Sequence, residues 1–264
     1  MFDWSCGFIE DPAGNDALAR SGVPIIALEN ARGAEDVFRY RPPEGRYAIV
    51  VGNERKGVSR ELLRLAHRTI QIPIQSAQLN CLNVAAAAAV ALYRLARRQG
   101  RQTATRGGRS GGRPVVVFGG VDDPIELGSA VRSAACFGWK EVCVADRHEV
   151  WFEADRVTRS LGRGAARRAR NPIRVIPAPS GEVFDEICVI GTDGEPLRCT
   201  DLSRGPRQLL VLGDAGAVDH RQDGSRIRRI RLEVEPGRHP FRLVASIALA
   251  EVARQLGARV RAEN

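Results

Sequence analysis

One pattern occurs twice in this chain and is intact only once. Residues 49–96 contain IVVGNERKGVS followed by IQIPIQSAQLNCLNVAAAAAVALYRLA, and residues 210–256 contain LVLGDAGAVDH followed by IRLEVEPGRHPFRLVASIALAEVARQL. From Ile70 to Leu92 the copies align without a gap, pairing Val84 with Val244, Ala85 with Ala245 and Ala88 with Ala248, and Gly52 pairs with Gly213. Another element, VDDPIELGSAVRSAACFGW (121–139), occurs once, between the copies. The chain is therefore constrained to two related halves that no longer carry the same parts.

At 264 residues there is room for one large domain or two ordinary ones, each with its own core. Residues 97–113, RRQGRQTATRGGRSGGR, hold six arginines, five glycines and no large apolar side chain. Such a stretch cannot contribute to a core and is expected to be a flexible linker between residues 1–96 and 114–264. Apolar runs rich in Val and Ile predict strands over 23–28, 47–52, 68–74, 114–120, 141–146, 173–178, 186–191 and 208–214. Helical spacing predicts helices over 59–67, 83–98, 126–137 and 244–256. Strands alternating with helices argue for an α/β parallel sheet in each half. The first half is short by about one strand–helix–strand segment, where a copy of 121–139 would lie.

The net charge of +9 is carried almost wholly by arginine, since only Lys56 and Lys140 are lysines. Arginine binds phosphate bidentately and stays charged at physiological pH, which favours a polyanionic partner; a GC-rich genome gives the same bias. The six cysteines (6, 81, 136, 143, 188 and 199) show neither a CxxC pair nor metal-ligand spacing, and suit a reducing, cytoplasmic setting. No leader and no apolar run of spanning length is present, so no membrane role is expected.

Gly52 closes an apolar strand, at the end where open α/β sheets bind ligands. The GNERKG spacing is neither GxGxxG nor a P-loop, because Val58 follows Lys56–Gly57. Taken together, the G-N-E-x-K-G-x-S turn, the Ile72–Pro73 dipeptide, LNVA opening an Ala-rich helix and DPIELGSAVRSAACFGW resemble the SpoU/TrmH branch of the SPOUT RNA methyltransferases. The resemblance implies two trefoil-knotted parallel-sheet domains in one chain, the N-terminal one truncated. It implies S-adenosylmethionine as cofactor, held around Val51, Gly52, Asn53, Gly57, Ile72, Ile74, Cys81 and Leu82. It also implies methyl transfer to a ribose 2′-hydroxyl of tRNA or rRNA. Family members act as dimers with the site at the interface. The Ala-rich helix suits such an interface, and equally suits an ordinary core.

The same resemblance gives the split its meaning. The N-terminal half keeps the cofactor-type loops and lacks the DPxNxGxxxR element; the C-terminal half keeps that element while Glu54 is matched by Ala215, Leu82 by Arg242 and Asn83 by Leu243. A long cationic Arg242 in a cofactor slot is expected to fill it or to repel a sulfonium. The expectation is a monomeric pseudodimer with one composite site. Arg132 matches the family's arginine that holds RNA phosphate or assists deprotonation, and Glu54 and Asn83 match polar positions that shape the loops. Two positions depart from the family pattern. Glu126 stands where Asn is usual and is able to pair with Arg132 or repel phosphate, and Cys81 stands where Ser is usual. Residues 154–174 carry Arg156, Arg159, Arg163, Arg167, Arg168 and Arg170, a density suited to RNA phosphates, although a solvated charged face has the same composition. A catalytically silent RNA-binding or ribosome-assembly protein is the rival function, favoured by Glu126, Cys81 and the decayed second copy.

Overall fold

The computed structural model describes residues 18–54, 56–79, 81–96, 113–180, 182–202, 207–217, 225–234 and 239–257, so the expected linker lies, except for Arg113, outside the described residues. The chain divides after Gln71 into two compact units.

The first unit holds a four-stranded sheet in the order β2-β4-β1-β3. Its strands are β1 (Ile25–Leu28), β2 (Glu35–Asp36), β3 (Ala48–Val51) and β4 (Arg68–Gln71), and every pairing is parallel. β1 is central and buried along its whole length, because IIAL presents apolar side chains to both faces of the sheet. A short helix, α1 (Arg60–Leu65), crosses from β3 to β4. Ser59 starts it, its hydroxyl accepting the Leu62 N–H at 3.2 Å.

The second unit is built on a seven-stranded parallel sheet in the order β7-β6-β5-β10-β8-β11-β9. Its strands are β5 (Val115–Gly119), β6 (Glu141–Ala145), β7 (Arg174–Pro177), β8 (Glu186–Gly191), β9 (Glu195–Pro196), β10 (Gln208–Gly213) and β11 (Arg226–Arg231). Val117, Leu209 and Val211 pack on one face with Cys143, Phe184 and Ile187. Val116, Phe118, Leu210 and Leu212 are also fully buried, so the centre of the sheet is covered on both faces. Among the described residues four α-helices belong to this unit: α2 (Val84–Ala96), α3 (Pro124–Cys136), α4 (Arg156–Ala165) and α5 (Phe241–Gln255).

α5 packs against both α2 and α3, and α3 packs against α4. Small residues let these helices approach: Ala130, Ala134, Ala245 and Ala248 are fully buried, and the Ser133 and Ser246 hydroxyls hydrogen-bond across α3 and α5 at 2.8 Å. The α/β class and the parallel sheets match the sequence expectation. β2, β9, β11 and α4 were not anticipated. RIRRIR hides a strand under alternating charge, and α4 contains two glycines, Gly162 and Gly164, which are poor helix formers.

Candidate active site

In the first unit Asn53 and Gly57 close a turn at the carboxyl end of β3. The Asn53 N–H donates to the Gly57 carbonyl at 3.1 Å, and the Gly57 N–H returns to the Asn53 carbonyl at 2.8 Å. Gly57 has φ of +68°, which a β-carbon disfavours, and a β-carbon on Gly52 would sit 2.2 Å from the Gly57 carbonyl carbon. Glu29 closes the turn from β1, its Oε2 accepting the Val58 N–H at 2.7 Å. Val51, Asn53 and Glu54 are exposed on this turn. Sequence reasoning missed Glu29, whose signal is only its place one residue after a buried strand.

In the second unit, α3 begins at Asp123, whose Oδ1 accepts the N–H groups of Ile125 and Glu126 at 2.6 and 3.1 Å, with Pro124 at the first helical position. The helix is buried from Leu127 to Cys136, and this carries Arg132 inward to only 5% exposure. Its Nε donates to the Cys81 carbonyl at 2.9 Å, and its Nη2 donates to the Leu82 carbonyl at 2.8 Å and the Cys81 sulfur at 3.2 Å. Arg167 reaches the same sulfur from beyond α4, with Nη1 at 3.0 Å. Cys136 donates its thiol to the Cys81 carbonyl at 3.4 Å, and burial above all pushes that thiol up to about 12, so it stays protonated. Among the described residues no carboxylate pairs with Arg132 or Arg167. Leu82 is buried, Ile74 and Cys81 are half-buried, and Ile72 is 7% exposed. Asn83 caps α2, its Oδ1 accepting the N–H groups of Ala85 and Ala86 at 3.0 and 3.3 Å.

Glu126 turns away from Arg132. Its carboxylate takes the backbone N–H of Arg242 at 2.8 Å and forms an ion pair with the Arg242 guanidinium, both side chains being largely buried. α5 has Pro240 at its start and no side-chain cap of its own, so Glu126 caps it from another helix. The pair also changes the expected effect of Arg242: its charge is compensated, and its guanidinium is spent on Glu126. Beside it, at the carboxyl ends of adjacent strands β5 and β10, lies a cavity of about 410 Å³ lined by residues that include Gly120, Asp122, Glu126, Gly213, Asp214 and Phe241.

The basic run divides in two. Arg159 donates to the carbonyls of Ala154 (2.7 Å) and Phe152 (3.4 Å), and Arg168 to those of Ile173 and Asn171, so both brace the chain around α4. Arg156 and Arg163 are exposed and make no side-chain hydrogen bond or ion pair among the described residues. Among those residues there is no group of His, Cys, Asp and Glu able to hold a metal, and no helix long and apolar enough to cross a membrane.

Three solved structures are similar to the chain at low identity. A protein assigned to the TrmH family of RNA methyltransferases from Porphyromonas gingivalis is 15% identical with a TM-score of 0.41, covering 75% of this chain and 80% of its own. An RNA 2′-O ribose methyltransferase is 16% identical with a TM-score of 0.40, covering 75% and 78%. The SpoU methyltransferase AviRb from Streptomyces viridochromogenes, solved with AdoMet, is 15% identical with a TM-score of 0.36, covering 92% and 87%. No curated protein matches the chain. Residues 13–93, which contain the GNERKG turn, Ile72–Pro73 and the start of the Ala-rich helix, match the model of the SpoU rRNA Methylase family.

Proposed function

We propose that this protein is an S-adenosylmethionine-dependent RNA methyltransferase acting on a ribose 2′-hydroxyl of tRNA or rRNA. In this reading residues 1–96 and 114–264 are two trefoil-knotted halves of a monomeric pseudodimer that share one composite site. The observation that carries it is the grip of Arg132 on the carbonyls of Cys81 and Leu82, which ties the once-occurring element to the intact copy of the repeated one. The residues fit the cofactor chemically. Gly52 and Gly57 let the turn close tightly on itself and on Glu29, Ile72 and Leu82 are apolar as an adenine neighbour should be, and no lysine or arginine replaces Leu82 as Arg242 does in the second copy. S-adenosylmethionine supplies an activated methyl group.

The chain must hold the ribose oxygen in line with that methyl group and assist loss of its proton. Arg132 is assigned the positioning of the RNA. Glu54 is assigned to the turn that faces the cofactor, and Asn83 to fixing the Leu82 loop through its cap on α2. Glu126 is left out of the chemistry, since its carboxylate serves Arg242 and α5. A second reading, an RNA-binding protein without catalysis, is favoured by the burial of Arg132, whose guanidinium is occupied by backbone.

Calorimetry separates the two. One equivalent of S-adenosylmethionine per chain, lost in Leu82→Arg, supports the enzyme; no binding at millimolar cofactor refutes it, and two equivalents refute the single composite site. With binding established, labelled-methyl incorporation into total RNA should be abolished by Arg132→Ala. Equal incorporation removes Arg132 from its role.

A further inference from the structure

The outer face of α4 combines two chemistries, aliphatic and cationic. Val157 is 68% exposed and Leu161 is 47% exposed, and as i and i+4 residues they lie one turn apart on the same face. Alongside them run Arg156 and Arg163, both exposed and without a side-chain partner among the described residues. Ile125, 42% exposed, opens α3 next to the point where Pro124 meets Gly162. The helix is firmly held beneath this face. Asp155 caps its start through the Val157 and Thr158 N–H groups, and Gly162 packs against α3. Past its end the chain delivers Arg167 to Cys81, beside Arg132.

A face made only for duplex phosphates has no use for aliphatic side chains, because a duplex keeps its bases stacked inside and presents charge outward. A stable protein partner needs about 800 Å² of this side covered around an apolar centre, and two aliphatic side chains on a ten-residue helix supply too little of one. Unpaired RNA presents both chemistries together, since splayed bases offer apolar faces while the adjoining phosphates carry charge. We propose that α4 is a docking surface for an unpaired RNA segment such as a hairpin loop. Val157 and Leu161 take the base faces, and Arg156 and Arg163 take the flanking phosphates. This deepens the RNA methyltransferase reading and rests on its RNA part, not on its cofactor.

The test is binding of the full chain, without cofactor, to two probes across a salt series. One is an RNA hairpin with a purine-rich unpaired loop, and the other a blunt RNA duplex carrying the same number of phosphates. Wild type should prefer the hairpin by about tenfold or more. Val157→Ser and Leu161→Ser should each weaken hairpin binding about 3–10-fold and leave both duplex binding and the salt slope unchanged. Arg156→Gln and Arg163→Gln should each make the slope shallower by about one, for both probes. Both apolar positions are exposed, so the serine variants should fold, and Val157→Ala provides a milder second variant. The proposal is overturned by equal affinity for the two probes, by no binding of either, or by serine variants that bind the hairpin as wild type does. Serine variants that convert a dimer to a monomer without altering RNA affinity also overturn it, and make the face a protein interface. Hairpin preference without cofactor binding would keep this surface and sink only the enzyme reading.

Discussion

Replacing Gly128 with alanine should damage this protein more than any other single methyl group added to α3 or α4. A β-carbon there falls 2.2 Å from the Gly162 carbonyl oxygen and 2.9 Å from the Ala165 β-carbon. Carbon–oxygen contacts settle at about 3.3–3.6 Å, so the two helices must separate by about 1 Å. α3 cannot retreat, because it is buried from Leu127 to Cys136 and its Ser133 is hydrogen-bonded to Ser246 on α5. α4 must therefore lift, and a gap of 0.5–1 Å forfeits about a quarter to a half of each dispersion contact it spans. Overpacking of this kind costs about 1–3 kcal/mol, and the fixed backbone on both sides puts Gly128→Ala near the upper end. Gly164→Ala is the matched control. It lies in the same helix pair but has nothing within 4 Å of its β-carbon, so it should stabilise α4 by up to about 0.5–1 kcal/mol. Thermal unfolding of the full chain should place Gly128→Ala below wild type by about 4–10 °C, and Gly164→Ala at or slightly above it. A Gly128→Ala protein within a degree of wild type, or two variants equally destabilised, would refute the close-approach argument.

Further outcomes follow from the contacts around these helices. Glu126→Ala leaves the largely buried Arg242 guanidinium without its partner and α5 without its cap, and should cost about 1–3 kcal/mol in denaturant unfolding. A cycle with Arg242→Leu should give a coupling of about 1 kcal/mol or more, and additive single effects would show that the contact is not formed. Hydrogen bonds from Thr158 above all, and from the Val157 N–H, hold the Asp155 carboxyl below its ordinary value. The stability this cap lends α4 is complete above the ordinary carboxylate range and fades as pH falls through the lowered folded value. Trp151, which adjoins Gly162, should report that acid loss of α4 in its fluorescence, and Asp155→Asn should flatten the profile. Burial pushes the thiols of Cys136 and Cys188 up to about 12 and that of Cys143 to about 11. Brief alkylation near pH 8 followed by peptide mapping should modify half-buried Cys81 ahead of these three, and labelling of Cys136 first would contradict the packing of α3.

The inner strands β1, β5 and β10 were legible because parallel strands covered on two faces need uninterrupted Val, Ile and Leu, which few other elements require. IIAL, VVVFG and QLLVLG each sit where their composition demands. Capping chemistry made the start of α3 equally plain, through Asp123 and Pro124. The partners of charged side chains were not legible. The choice of Glu126 between Arg132 and Arg242 depends on the approach of α3 to α5, which no spacing along the chain encodes. Arg159, Arg167 and Arg168 read as phosphate ligands in a basic run, yet each satisfies a carbonyl or a sulfur within the protein. A side chain as long as arginine can turn inward or outward from the same helix, so composition alone cannot sort the two populations.

The Glu126–Arg242 contact also bears on how the second half can change over generations. Placing a leucine at 242 alone would strand a mostly buried carboxylate, while placing an asparagine at 126 alone would strand a mostly buried guanidinium. Each single change gives a less stable protein, whereas the double change leaves no unpaired charge. The two residues thus act as a latch: neither can be replaced alone without a loss of stability, so a tolerated change at one position is expected to come with a change at the other.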